Sequence, residues 1–581
     1  YNNTILGYRA GYSTTTGFTN VYIGYNAGYY ATTGRGNVAV GSSNQAGASG
    51  QTTGTYNVSL GENALFSLES GNHNFVVGSN AGYSLTTGEH NVIIGSSAGD
   101  ALTTTSNSVM IGRSAGTAIN SADANGTVLL GAYAGAAITE GQYNTAIGTS
   151  ALATEDTGNF NTAVGYEALT TQNRDGTVGN TAVGYRAGYA VTTAYSATIM
   201  GINAGVALTE GHDNTLIGAN TADSLTTGDY NTAVGAGALN SEDVGRGTTA
   251  IGYQALYSQN SDSNDEETNN VAVGRNAGYS VTTGTNNTLL GRSAGANLTT
   301  QQYNTLVGSY CGHGLDSGDG QNTALGREAL YYGGNSAVNV AIGQLALYGA
   351  SGTNNATGNI AVGNQALQNT STGDYNVAIG FKAGEKNNNS QNIFIGNLAS
   401  GSGVDQEIVI GSGTSVYANP LIGGGTETIR IGRASDFITN DFGENATWTH
   451  SSDRRIKKDI KDTNLGLEFI LKLQPKEFKK KAPSEYPPEF EQYDASVTER
   501  KNPDRIHYGF VAQEVKEAMD KVGHSEFPVW KENRDGMQEL GESELITPLV
   551  KAVQELSSEN KELKDELNEL KIFIKKKLGD E

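Results

Sequence analysis

The sequence predicts a mainly β protein: a long β-solenoid or β-roll shaft of 17-residue repeats, then a mixed α/β segment that ends in a coiled-coil helix. Three observations carry that prediction. A glycine preceded by a short alternating aliphatic run recurs 24 times, glycine is abundant (78 residues) while charge is scarce (17%), and an apolar seam spaced four and three apart closes the chain. So short a period, sustained so long, indicates a solenoid, and the seam indicates a coiled coil. The expected boundaries are a shaft over 1–411, a neck or tip with irregular strands over 412–448, an α/β core over 449–544 and a coiled-coil helix over 545–581.

The anchor glycines run from Gly7 and Gly24 to Gly396 and Gly411, and 15 of the 23 intervals are 17 residues. The pattern stands whole at Asn144 to Gly148 and at Asn161 to Gly165. The residue before each anchor is aliphatic, and the residue two places earlier is Thr, Val or Ile except at Phe75. That alternation predicts a short strand with one buried face. Asn opens 19 of the 24 copies, so the asparagines stack along the solenoid and their amides can pair in a ladder. Past the anchor comes Ala at the third place (Ala10, Ala187, Ala277), then Gly or Leu, then often Tyr-Ser-Leu/Val-Thr-Thr-Gly. This predicts a second strand and a turn back, each rung being a flat coil of two strands. At ~4.8 Å per rung the stack makes a rod of roughly 115 Å.

A coil with mostly Ala and one or two aliphatic residues inward buries little apolar surface alone, so three coils sharing a core about a three-fold axis are expected, with a monomeric β-solenoid as the alternative. The net charge of −22 is uneven: residues 1–448 hold 13 Lys/Arg against 31 Asp/Glu, and 449–581 hold 24 against 28. An acidic shaft has no basic stripe for a phosphate backbone, which argues against nucleic acid as a partner. No run of eighteen apolar residues supports membrane insertion. Cys311 is the only cysteine, so no intrachain disulfide forms. Because Tyr1 falls in mid-repeat, a longer natural chain is expected, with any targeting signal upstream.

The irregular copies are where a site could be grafted. The interval from Gly252 to Gly274 carries Ser261-Asp262-Ser263-Asn264-Asp265-Glu266-Glu267, and another turn reads Asp316-Ser317-Gly318-Asp319-Gly320. Neither has the full spacing of a calcium loop, so both are expected to be solvated acidic loops. His73, His90, His212 and His313 show no paired spacing; no metal and no cofactor are expected. Cys311 takes the place of the small Ala after the anchor and reads as a packed thiol. The tyrosines beside the anchors and in the turns read as packing between rungs. Between Gly411 and Trp448 the period fails through Asn419-Pro420-Leu421 and Gly423-Gly424-Gly425, although a strand persists at Thr428 to Gly432. Beyond it Leu549, Val553, Leu556, Asn560, Leu563, Leu567, Leu570 and Ile574 form the heptad seam, with Asn560 costing stability but fixing register.

Two resemblances follow from these residues. The rungs look like the head repeats of trimeric autotransporter adhesins and the shaft repeats of phage tail fibres. Ser452-Asp453-Arg454-Arg455-Ile456-Lys457, with Gly509-Phe510-Val511-Ala512-Gln513-Glu514-Val515 ahead of the heptads, resembles the C-terminal intramolecular chaperone of phage tail spikes and fibres, the endosialidase type. That family is also a self-cleaving serine peptidase. The resemblance implies Ser452 as nucleophile, Lys457 as its general base and Ser451–Ser452 as the scissile bond, in a domain that trimerises the chain, templates the shaft and then leaves. Lys458 is the alternative base and His507 a possible helper.

The chemistry sets conditions. A serine hydroxyl needs a base to take its proton, and a lysine with an ordinary pKa of ~10.4 is neutral in only about one molecule in a few thousand at pH 7. Lys457 must therefore be partly buried or near other cations, of which Arg454, Arg455 and Lys458 are close in sequence. Five residues along a helix, or an odd separation along a strand, puts the two side chains on different faces, so Ser452 and Lys457 meet only across a bend or between subunits. Ser452-Asp453 would equally suit a helix cap with a solvated basic run; the downstream motifs favour the peptidase. The expectation is a trimeric tail fibre on a virion or other extracellular particle, contacting a host glycan or receptor. The alternatives are a glycan-degrading tail spike, for which no carboxylate pair at a cleft stands out, and a bacterial surface adhesin.

Overall fold

The computed structural model describes the chain apart from residues 1, 48–49, 264–265, 350–354, 414–419, 435, 442–444, 451–453, 455–456, 491–492, 494, 500–502, 534–535 and 580–581. It divides into two compact units, Tyr1–Ser451 and Ser452–Glu581.

The first unit is a β-solenoid of about 24 turns with a repeat of about 17 residues. Each rung contributes a three-residue strand, such as Thr145–Ile147 or Thr162–Val164, paired in parallel and in register with its neighbours so that Ala163 lies opposite Ala146. Three residues suffice because every strand is held from both sides. The anchor glycine that follows is fixed by close approach: Gly148 has φ +138°, and a Cβ there would stand 2.2 Å from the carbonyl oxygen of Gly165.

The structure fixes which face of the strands is buried and corrects one expectation. From the second rung on, the buried residue of each three-residue strand is the middle one (Ile93, Leu129, Ala146, Ala163, all 0% exposed), whereas the aliphatic residue before the anchor faces outward, as at Leu290 (46%) and Leu325 (49%). The coil is too thin for more: its interior is filled by that middle residue, the Ala after the anchor (Ala151, Ala168) and a Leu or Ile further on (Leu85, Ile138). The segment after the anchor is not a second strand. Asn63 and Leu65 take left-handed backbone (φ +55° and +51°), and their amides bond in opposite directions, to Ser42 O (2.9 Å) on the rung before and to Ala81 O (3.1 Å) on the rung after. Alternating the sign of φ keeps the chain extended with its amides along the axis. A left-handed Leu costs about 1–3 kcal/mol; complete burial of Leu65 holds it there.

The asparagine ladder forms in the interior: the Asn161 amide donates to Asn144 Oδ1 (2.9 Å), and Asn144 Nδ2 donates to Gly158 O (2.7 Å). A second ladder, not read from the sequence, runs two residues earlier at the corner. There Asn72, Asp229 and Asp374 Oδ1 accept the amides of Thr55, His212 and Thr357 one rung back, each at 2.8 Å. Aromatic rings pack between rungs, as Tyr8 on Tyr25 (5.6 Å) and Tyr257 on Tyr279 (5.3 Å). At the neck the parallel ladder continues from Ile408–Ser412 to Thr428–Arg433, then reverses into an antiparallel meander through Asp436–Asp441 and Asn445–His450.

Among its described residues the second unit forms three α-helices, α1 (Leu467–Ile470), α2 (Ala512–Lys521) and α3 (Ile546–Leu578), and two small antiparallel pairings, Lys476–Phe478 with His507–Gly509 and Trp530–Glu532 with Gln538–Leu540. Leu465, Phe469, Val515, Ala518, Met519, Val529 and Leu545 make its core. Glu555 on α3 caps α1 by accepting the Leu467 amide at 2.7 Å. Every apolar residue of the heptad seam is exposed on α3, from 44% at Ile574 to 62% at Leu563. Among the described residues no helix is long and apolar enough to cross a membrane.

Candidate active site

Ser451 and Ser452, the proposed scissile pair, lie outside the described residues, as does Arg455. The chain around them can be followed on the downstream side. The Lys457 amide donates to Arg454 O at 3.2 Å, closing a tight turn, and Asp459 just beyond adopts φ +55°. Lys457 and Lys458 are neighbours on an exposed stretch. His507 belongs to a different element: it pairs with Phe478 across the antiparallel strands and its ring stacks on that of Phe478 at 5.8 Å.

The Gly509–Val515 motif is built for packing. Gly509 ends its strand where a Cβ would stand 2.7 Å from Glu542 Oε1. Val511 precedes α2 in extended conformation, and Val515, Ala518 and Met519 one and two turns on enter the core. Glu514 makes an ion pair with Lys476 (3.4 Å), tying α2 to the strand that pairs with His507.

Outside this region, candidate chemistry is sparse. Burial pushes the Cys311 thiol up to about 12, and Sγ donates to Ala324 O at 3.3 Å, as a packed thiol should. Asn264 and Asp265 of the longest acidic loop lie outside the described residues; the Asp262 amide bonds Glu266 Oε2 (3.1 Å). Among the described residues no group of three or more His, Cys, Asp and Glu is placed to hold a metal ion. What the sequence reading missed is a set of wholly buried carboxylates, Glu155, Glu242 and Glu407. Glu242 is held by the Gly245 amide (2.7 Å), Gln259 Nε2 (2.9 Å) and Ser261 Oγ (3.1 Å). The signal was present: Glu242 and Glu155 stand where other rungs have Leu, and each is followed one rung later by Gln, at Gln259 and Gln172.

Residues 452–524 match the family described as chaperone of endosialidase. The matched segment takes in both the Arg454–Lys457 turn and the Gly509–Val515 motif, and ends before α3. No match is found among curated proteins or among solved structures. A segment of this family behind a β-solenoid shaft fits a tail fibre with a C-terminal chaperone. The family is a self-cleaving chaperone domain, which supports autoproteolysis in general terms.

Proposed function

We propose that the chain is a host-contacting, trimeric fibre of a phage or phage-like particle, assembled on its C-terminal chaperone and freed by one self-cleavage between Ser451 and Ser452. The observation that carries this reading is the family match at 452–524, in a unit whose helix leaves a full heptad seam uncovered. Burying a Leu against solvent stabilises by about 1.5–3 kcal/mol, so a seam with Leu556, Leu563, Leu567 and Leu570 half exposed favours association. The shaft favours it too, since the outward aliphatic residues of successive strands form a stripe that a second and third copy would cover.

In the proposed reaction Ser452 Oγ attacks the carbonyl carbon of Ser451 while Lys457 Nζ takes the hydroxyl proton. The peptide C–N bond breaks, the amine of Ser452 leaves protonated, and water hydrolyses the resulting ester. Lys458 is the alternative base, and His507 would help by orientation or by oxyanion binding. Templating is needed because near-identical rungs pair equally well when shifted by one repeat; a trimeric chaperone fixes the register first. Its removal then leaves a shaft whose persistence is kinetic.

Expression of the whole chain tests this. Mass spectrometry is expected to show fragments 1–451 and 452–581, an intact Ser452→Ala chain, and at least a hundredfold slowing in Lys457→Met. A wild-type chain that folds and stays whole would remove the peptidase assignment.

A further inference from the structure

We propose that the shaft carries two related slots, each walled by aromatic rings one rung apart from an alanine, that take a single pyranose ring of a surface polysaccharide. The inference deepens the host-contacting reading and rests on it. Five residues past the anchor, many rungs place an aromatic side chain, and where neighbours both do so the rings stack. Tyr12 lies on Tyr29 at 5.2 Å and Phe66 on Tyr83 at 5.0 Å, each nearly parallel. The rung between these pairs has Ala46 instead, fixed there by the Tyr30 amide bonding Ala46 O (3.0 Å) and the Gly47 amide bonding Phe66 O (2.8 Å). One ring is missing from an otherwise regular stack. With ~4.8 Å per rung, Tyr29 and Phe66 stand roughly 10 Å apart, so a flat ring between them sits ~5 Å from each, the separation at which ring faces pack.

An open cleft of about 410 Å³ lies here, its lining including Asn26, Tyr29, Tyr30, Ser43, Ala46 and Phe66, with the Tyr30 ring edge-on to Tyr29 at 4.6 Å; its size is that of small-ligand pockets, roughly 300–1,000 Å³. Arg9, Asn26 and Ser43 add polar groups to the lining, of the kind that orient a ligand in such pockets.

The same arrangement recurs fourteen rungs further on. Tyr257 stacks on Tyr279 (5.3 Å) and His313 on Tyr331 (5.1 Å), with Ala296 on the rung between. The Ser280 amide bonds Ala296 O (2.9 Å) and the Asn297 amide bonds His313 O (3.2 Å), repeating the first site bond for bond. Asn276 corresponds to Asn26 and Ser293 to Ser43, while Ser280 stands where the first site has Tyr30. A pyranose offers C–H faces to the rings and hydroxyls to the polar lining, which a purely aromatic occupant would leave without bonds. Two slots per chain would also raise avidity for a polymer that reaches both.

The test is binding of the intact fibre to a panel of bacterial surface polysaccharides, beside the double variant Ala46→Tyr, Ala296→Tyr, which supplies the missing rings. At least a tenfold loss of affinity is expected in the variant at unchanged melting temperature, and a similar loss in Tyr29→Ala with Tyr279→Ala. Full binding by the ring-filled variant overturns the slots. So does a wild type that binds no saccharide, or one that binds indole in their place. Adsorption of the fibre to host cells is measured in parallel: adsorption without saccharide binding removes the slots and keeps the host-contacting reading, and loss of both removes the two together.

Discussion

The shaft and the long helix α3 treat the same apolar side chains in opposite ways. In the shaft, the leucines and isoleucines of the inner column, such as Leu85, Ile93 and Ile138, are completely covered by their own chain. Along α3, Leu563 and Leu567 remain 62% and 49% exposed although their spacing is as regular. A solenoid rung finds its partner in the next rung, supplied by the same chain; a lone helix has no such neighbour. The contrast teaches where the chain covers its own apolar surface: a single chain completes the shaft interior, while the α3 seam stays exposed in one chain and is the surface on which the proposed association rests.

The comparison can be broken most severely from the shaft side. Gly148→Ala places a Cβ 2.2 Å from Gly165 O at a φ of +138°, and a loss of more than about 3 kcal/mol is expected, read as a large fall in melting temperature of the mature shaft while α3 helicity is unaffected. Second in size is the seam. Leu567→Ser is expected to cost about 2–3 kcal/mol per chain and to appear in sedimentation as loss of the trimer, with no effect on rung stacking inside the shaft. The smallest effect concerns pH. Burial holds the Glu155 carboxyl above its ordinary range. A raised folded pKa means a contribution present below the unfolded value and lost as pH rises through the folded one. Glu155→Gln is therefore expected to raise the melting temperature at pH 8 by a few degrees and to leave it unchanged at pH 4. An equal gain at both pH values would show that packing, and not ionisation, sets the effect.

The repeat, its parallel strands, the asparagine ladder and the seam were legible because each follows from a period in the sequence. The side chosen by each strand was not. Thr, Val or Ile opens nearly every strand and an aliphatic residue closes it, so alternation puts these two on one face and the middle residue on the other without saying which face is inside; the thin coil admits Ala146 or Ala163. The left-handed second segment was hidden for a related reason. Leu65 and Leu169 carry no preference for φ > 0 and accept it because neighbouring rungs dictate it. At the candidate active site the two motifs and their order were readable; how Ser452 meets Lys457 was not, since Ser452 lies outside the described residues.

The reversal at the neck has a further consequence. A stack of in-register parallel strands ends in open amides and carbonyls, a template on which a rung of another molecule could settle, as in fibril growth. After Thr428–Arg433 the chain instead folds back through Asp436–Asp441 and Asn445–His450, six residues each and antiparallel. A three-residue parallel rung no longer matches that edge. The meander thus works as a terminator, keeping end-to-end polymerisation from starting at this side of the stack.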